Sequence, residues 1–327
     1  MGGIAWNETS ANANGGTELM ARELEQRLPR DLLDQFQIIL SGYGSIDPER
    51  IRILWCHNHP GGHESALLAG GGWRKFHRIV FVSNWQARVF AKRYAIPLTR
   101  CHVLPNAIRP IAVPKWRLEQ AGAGRPIRLI YTSAPQRGLS ILLPVFDKIC
   151  GQRDDVHLDV FSSFRLYGWD EKDQPFQRLF DALRQHPRIT YHGAVPQRQL
   201  RRAVAQADIF AYPSIHPETS CRCLMEAMSA GLACVHSNVA ALPETAAGQT
   251  MMYRWHPDQR IHAAVFHDAL LGAINGIKDV DRRLHTRLEA QKAYADTYYS
   301  WDARAWQWED FLRGLVNLPR RGGGTRE

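Results

Sequence analysis

Short apolar runs recur along the chain at Phe36–Leu40, Ile51–Trp55, Ile79–Ser83, Ile127–Thr132, Val156–Phe161, Ile189–Tyr191, Ile209–Tyr212 and Leu232–His236. Nearly unbroken runs of this kind suit strands covered on both faces, as in a parallel sheet. Between them lie stretches with the period of a helix, such as Leu139-Leu142-Leu143-Phe146 and Leu200-Val204-Ala207. Strand and helix in turn predict an α/β chain whose sheets carry helices on both sides. The pattern lapses between Ile108 and Ile127, where Pro110, Pro114, Pro126 and the run Ala121-Gly122-Ala123-Gly124 read as a linker. We therefore expect a short first domain over 1–112, a second over 113–298 and a closing segment over 299–327. In that segment Trp301, Ala305, Trp308 and Leu312 share one helix face, which must bury itself against the rest of the molecule, and a loose Gly/Arg tail follows. The opening strand, Gly3–Trp6, is barely legible.

Open parallel sheets bind ligands at the carboxyl ends of their strands. His57, Ser83, Ser133, Ser162, Gly193 and Ser214 each follow an apolar run, so two such edges facing one another would form a substrate cleft. Composition narrows the class. Hydrophobic residues make up 45% and charged residues 22% of the 327, and no apolar run approaches the roughly 20 residues of a membrane span. With no signal-peptide pattern and six cysteines that form no C-x-x-C pair, the expectation is a cytoplasmic protein without a disulfide scaffold or zinc ribbon. The net charge of +9 is uneven: Arg74, Lys75, Arg78, Arg88, Lys92, Arg93 and Arg100 fall in 73–100 with no acidic residue between them. That stretch is either a solvated basic helix or a surface for an anionic partner, such as an anionic membrane or a phosphorylated molecule. Nucleic acid is the weaker choice, because no nucleic-acid-binding motif accompanies it. Trp85, Val89 and Phe90 fit either a membrane interface or, preferably, packing on their own sheet.

The strongest chemical signal is Pro217-Glu218-Thr219-Ser220-Cys221-Arg222-Cys223-Leu224-Met225-Glu226, followed by Ala-Met-Ser-Ala-Gly and a buried strand. Thr219 or Ser220 would cap a helix starting near Ser220, and Gly231 would end it. Its N-terminus would present free N–H groups to a phosphate. Glu218 would stand ahead of that end and Glu226 inside the helix. The plainer reading is two surface glutamates.

Several blocks together decide between these readings. Glu218 and Glu226, separated by seven residues, are preceded by Gly193-Ala194-Val195-Pro196 and Ala207-Asp208-Ile209-Phe210-Ala211-Tyr212-Pro213-Ser214. Val82-Ser83-Asn84-Trp85, Leu104-Pro105-Asn106-Ala107-Ile108, Arg137-Gly138-Leu139 and Tyr299-Ser300-Trp301 stand at matching places elsewhere. This succession resembles the GT-B glycosyltransferases, in particular the large retaining family numbered four with its E-x7-E motif. The resemblance covers most of the chain, strongly from about 79 to 245. It implies two Rossmann-like domains facing a cleft, with the C-terminal helix crossing back to the first.

It also implies roles. Glu226 would hold the donor ribose, and Glu218 would lie by the donor sugar, with Thr219, Ser220 and Cys221 offering backbone amides. Arg137 would stabilise the leaving diphosphate. Gly15 and Gly16 would approach the same phosphates, and His57 would face the transferred sugar. Ser133, Gly138, Gly193 and Pro213 fall in the donor pocket, and His59, Ser83 and Asn106 on the acceptor side. The expected partners are a nucleotide-sugar, for example a UDP- or GDP-sugar, and a glycan or lipid-linked acceptor, with neither cofactor nor metal. Ser133 and Ala134 stand where many relatives have a Gly-Arg pair, and Thr-Ser-Cys stands where Gly-Phe-Gly is usual. The rivals are an epimerase of sugar nucleotides with the same architecture, a basic lipid- or nucleic-acid-binding adaptor, and a transferase that binds its donor without turnover.

The smaller signals have plain readings. His57, His59 and His63 could converge on zinc only if the Pro60-Gly61-Gly62 turn folds them together. His157 and Asp159 read as a half-exposed strand, and Arg201-Arg202 as a solvated helix face.

Overall fold

The computed structural model describes residues 2–5, 16–40, 45–114 and 125–317. Numbered in chain order, β1 Gly3–Ala5, β2 Phe36–Leu40, β3 Ile51–Cys56, β4 Arg78–Phe81 and β5 Cys101–Val103 pair in that order as one parallel sheet. β6 Ile127–Tyr131, β7 Val156–Val160, β8 Ile189–Tyr191, β9 Ile209–Tyr212, β10 Ala233–Ser237 and β11 Met251–Tyr253 form a second, ordered β11-β10-β9-β6-β7-β8 and also parallel. Trp6, the run Ala121–Gly124 and the Gly/Arg tail lie outside the described residues.

Alternation along the first sheet divides its core. Ile53, Trp55, Val80 and Val82 face one side with Trp301, Trp308 and Leu312, whereas Leu54, Cys56, Ile79 and Phe81 face the other with Leu68, Trp73 and Phe90. The C-terminal helix Trp301–Val316 therefore packs on the first sheet, its Trp308 ring 4.8 Å from that of Trp55. Ile108 is tied to this crossing by a 2.8 Å bond from its N–H to the carbonyl of Tyr299. Phe90 is fully buried, and its ring stacks 5.2 Å from Phe81, so the helix Asn84–Tyr94 turns its apolar face to its own sheet. Arg88, Lys92 and Arg93 remain on the exposed side.

Two expectations need correction. Asp159 is not on a half-exposed strand: β7 is flanked by β6 and β8, and the carboxylate is buried between Arg128 at 2.9 Å and His192 at 2.8 Å. Arg201 is not simply solvated, because its guanidinium donates to the carbonyls of Arg109 and Pro110, fastening the helix Gln197–Gln206 to the interdomain segment. Arg202 is exposed.

Candidate active site at the seam between the lobes

The second sheet reverses its strand order between β6 and β9, and the loops that leave those two strands diverge to leave a crevice. After β6 comes a short turn, Pro135–Arg137, and after β9 the segment from Pro213 to Glu218. The two loops are locked together. Gly138 sits at φ +128°, and the carbonyl of Pro213 occupies the space where a Cβ would stand. The carbonyl of Arg137 accepts from the N–H of Ile215 at 3.4 Å. This contact holds Arg137 and Glu218 face to face: Nη1 of Arg137 donates to Oε1 at 2.8 Å and to Oε2 at 2.9 Å.

Glu218 is 5% exposed, and its Oε1 also accepts from the Tyr212 hydroxyl at 2.6 Å. Ser133 Oγ lies 3.4 Å from that hydroxyl. Burial works against charge on Arg137. The Glu218 carboxylate, with Tyr212, Tyr167 and Cys223 adding to its effect, nevertheless holds the guanidinium well above its ordinary pKa. Burial, and then Glu218, raise the Tyr212 phenol in turn, so it stays a neutral donor. The Arg137 Nε is buried without a partner among the described residues. A guanidinium fixed as a cation with a donor to spare suits an anionic group that develops charge.

The helix that carries Glu226 begins at Arg222, not near Ser220, and its N-cap is Cys221 with no side-chain cap. The better capping side chains are engaged across the seam instead. Thr219 donates its hydroxyl to the carbonyl of His57 at 3.2 Å, and Ser220 Oγ accepts from the Asn106 N–H at 3.4 Å while Asn106 Nδ2 donates to the Ser220 carbonyl at 3.0 Å. His57, Asn106, Thr219 and Ser220 thus meet where the lobes touch. The His57 ring lies on Trp55, with centroids 4.7 Å apart, and also contacts the Asn106 amide. Burial pushes its pKa down to about 3, so it faces the seam as neutral imidazole.

Glu226, 6% exposed, accepts from Arg222 Nη2 at 3.1 Å and from Gln197 Nε2 at 3.3 Å. These three side chains line a cavity of about 590 Å³ that also takes in Arg109, Arg198 and Trp301, so it opens between the two lobes. Glu218 and Arg137 are not among its walls. Gly231, at φ +64°, closes the helix: its N–H reaches Met228 and that of Leu232 reaches Ala227.

The remaining residues are more dispersed. Gly16 opens the helix Gly16–Glu25, with a Cβ position 3.9 Å from the Arg222 Cδ, while Gly15 is outside the described residues. Ser83 caps the helix Asn84–Tyr94 by accepting from Gln86, which spends its hydroxyl. His59 lies 6.2 Å from the ring of Trp85, and Gly193 turns the chain at φ +64° after β8. No three His, Cys, Asp or Glu side chains among the described residues converge as metal ligands would, His57, His59 and His63 included.

Residues 126–264 match the family model described as "Glycosyl transferases group 1". These residues, within the second lobe, form a group 1 glycosyltransferase domain. Among curated relatives, the chain is 28% identical over 182 residues to the phosphatidylinositol N-acetylglucosaminyltransferase GPI3 subunit of Saccharomyces cerevisiae, covering 54% of this chain and 39% of that one. A phosphatidylinositol N-acetylglucosaminyltransferase subunit from Homo sapiens is 26% identical over 145 residues, or 43% of this chain and 28% of the human one. The chain thus spans well under half the length of these relatives. Its fold matches a glycosyltransferase from Rickettsia africae with TM-score 0.67 at 13% identity, over 97% of this chain and 85% of that one. It also matches Anabaena Alr3699/HepE, solved with UDP, with TM-score 0.66 at 14% identity, over 91% and 82% of the respective chains. The two sheets and the returning helix are therefore those of the GT-B fold.

Three partners of this site carry no assigned role in the sequence reading: Tyr212, Gln197 and Arg222. Arg222 had a visible signal, since it stands four residues before Glu226 on one helix face. Glu244 is a fourth, and it acts at the seam. Its Oε1 accepts from the Asn84 N–H at 2.7 Å and from Asn84 Nδ2 at 2.8 Å, and its Oε2 accepts from the Trp85 N–H at 3.0 Å. A carboxylate of the second lobe thereby caps a helix of the first. Glu244→Ala should cost about 1 kcal/mol in urea unfolding and Glu244→Gln less, since the amide oxygen still accepts.

Proposed function

We propose that the protein is a retaining, metal-independent glycosyltransferase that moves a sugar from a nucleotide-sugar, a UDP-sugar in the first instance, to a glycolipid, polysaccharide or similar acceptor. In this reading the domain over 1–112 takes the acceptor and the domain over 113–298 the donor. The observation that carries it is the Arg137–Glu218 pair at the point where strand order reverses, beside His57 and Asn106 of the facing lobe. Diphosphate departs from the anomeric carbon as the acceptor oxygen bonds to the same face, and the acceptor proton passes to a departing phosphate oxygen. Both oxygens of Glu218 are held by Arg137, and one also by Tyr212, which suits the carboxylate to fixing a cation and not to attacking a sugar. Arg137 then lowers the barrier by meeting the charge that builds on the diphosphate.

The names of the relatives support a donor of the nucleoside-diphosphate class and a lipid-linked acceptor. The exposed basic side of the helix Asn84–Tyr94, with Leu98 71% exposed beyond it, is suited to an anionic membrane surface carrying that acceptor. Thermal-shift measurements against UDP-, GDP-, ADP- and dTDP-sugars should reveal one series that raises the melting temperature. Glu226→Ala should weaken that binding about 10- to 100-fold. A reaction product with the mass of a larger glycoside supports transfer. An isomer of the donor would point to an epimerase, and stabilisation by none of the four series would sink the reading.

A further inference from the structure

Arg222 occupies an unusual position for a charged side chain. It is the first residue of the helix Arg222–Ser229, and its side chain is only 19% exposed. One of its N–H groups goes to Glu226, at 3.1 Å, while Nε is buried without a partner among the described residues. Its aliphatic stem lies against Gly16, the start of a first-lobe helix, and its charge is felt by the His57 ring. It also lines the cavity that contains Glu226. A guanidinium this enclosed ordinarily has all its donors engaged.

We infer that Arg222 is a binding residue for the diphosphate of the donor, taking that anion with the N–H groups it does not give to Glu226. The inference rests on the nucleotide-sugar reading above and deepens it. Arg137 already shares its charge with Glu218 through two bonds, so a multiply charged diphosphate entering the seam calls for a second cation. Arg222 lies beside the acid assigned to the ribose, which adjoins the diphosphate in any nucleoside diphosphate. Its planar fork can bridge a carboxylate on one edge and a phosphate on the other. The other arginines of the cavity are less suited: Arg109 is paired with Glu23 at 2.6 Å, Arg201 is spent on backbone carbonyls, and Arg198 and Arg202 are exposed to solvent.

The test compares uridine, UMP, UDP and inorganic pyrophosphate by calorimetry on the full chain, with the guanosine series in parallel. The proteins are the unmutated chain, Arg222→Leu, Arg222→Lys and Arg222→Gln. For the base that binds, Arg222→Leu should weaken the diphosphate about 10- to 100-fold and the nucleoside less than about threefold. Lysine should restore part of the loss. Glutamine, which can still donate to Glu226, should behave like leucine, and it remains informative should leucine fail to fold. The salt dependence of UDP binding should flatten in both uncharged variants. Equal weakening of nucleoside and diphosphate would show that Arg222 acts only by holding Glu226, and would overturn the assignment. Unchanged diphosphate affinity would overturn it as well, in either case with the nucleotide reading intact. If the unmutated chain bound no nucleoside diphosphate of either series, both readings would fall.

Discussion

Replacing Arg137 by alanine should reduce the transfer rate by about 10²- to 10³-fold, the range seen when one preorganised donor is removed from a developing anion. The same change should cost about 3–5 kcal/mol of stability, because Glu218 is then left in the interior with no counter-charge. The two effects can be separated. The double variant Arg137→Ala/Glu218→Gln should recover much of the stability and none of the rate. Arg137→Lys keeps a charge that can face Glu218 but lacks the further donors of the guanidinium, and it should fall between. Urea unfolding beside single-turnover rates checks all three variants. If Arg137→Ala turned over donor near the unmutated rate, the catalytic assignment would fail, whatever happened to stability.

That prediction depends on a pair whose members the sequence suggests individually but whose contact it does not show. Buried parallel strands are legible because both faces need apolar residues: Phe36–Leu40 and Ile209–Tyr212 coincide with β2 and β9, both inside their sheets. β5 and β11 escape the same reading. Each is three residues at a sheet edge, where one side pairs with nothing and polar or half-exposed residues such as His102 and Met252 are tolerated. The helix bearing Glu226 shows a different limit. Local capping preference favours Thr219 or Ser220, but the Thr219 hydroxyl is drawn to His57 and the Ser220 hydroxyl to Asn106, each more than a hundred residues away in the chain. A tertiary contact thus moves the helix start to Arg222, which places that guanidinium on Glu226. Glu244 is invisible for the same reason, since its partners Asn84 and Trp85 belong to the other lobe.

Gly138→Ala should be the most damaging single methyl group that can be added near this site. At φ +128° the backbone is strained for any side chain, and here the new carbon would also run into the Pro213 carbonyl, whose carbon stands 2.8 Å from the Cβ position. That carbonyl is main chain and cannot swing aside as a flexible side chain would, so the turn Pro135–Arg137 and the segment from Pro213 to Glu218 must separate. Separation pulls Arg137 from Glu218 and uncouples the loops of β6 and β9 at the point where strand order reverses. The expected cost is about 3 kcal/mol or more in urea unfolding, with transfer lost as fully as in Arg137→Ala. Gly168→Ala supplies the control. It too has positive φ, +72°, but no atom lies within 4 Å of its Cβ position, so it should show backbone strain alone, about 1 kcal/mol, and keep most of the activity. Equal effects at the two glycines would mean that backbone strain, and not the contact with Pro213, sets the cost, and the coupling of Arg137 to Glu218 through that contact would have to be abandoned.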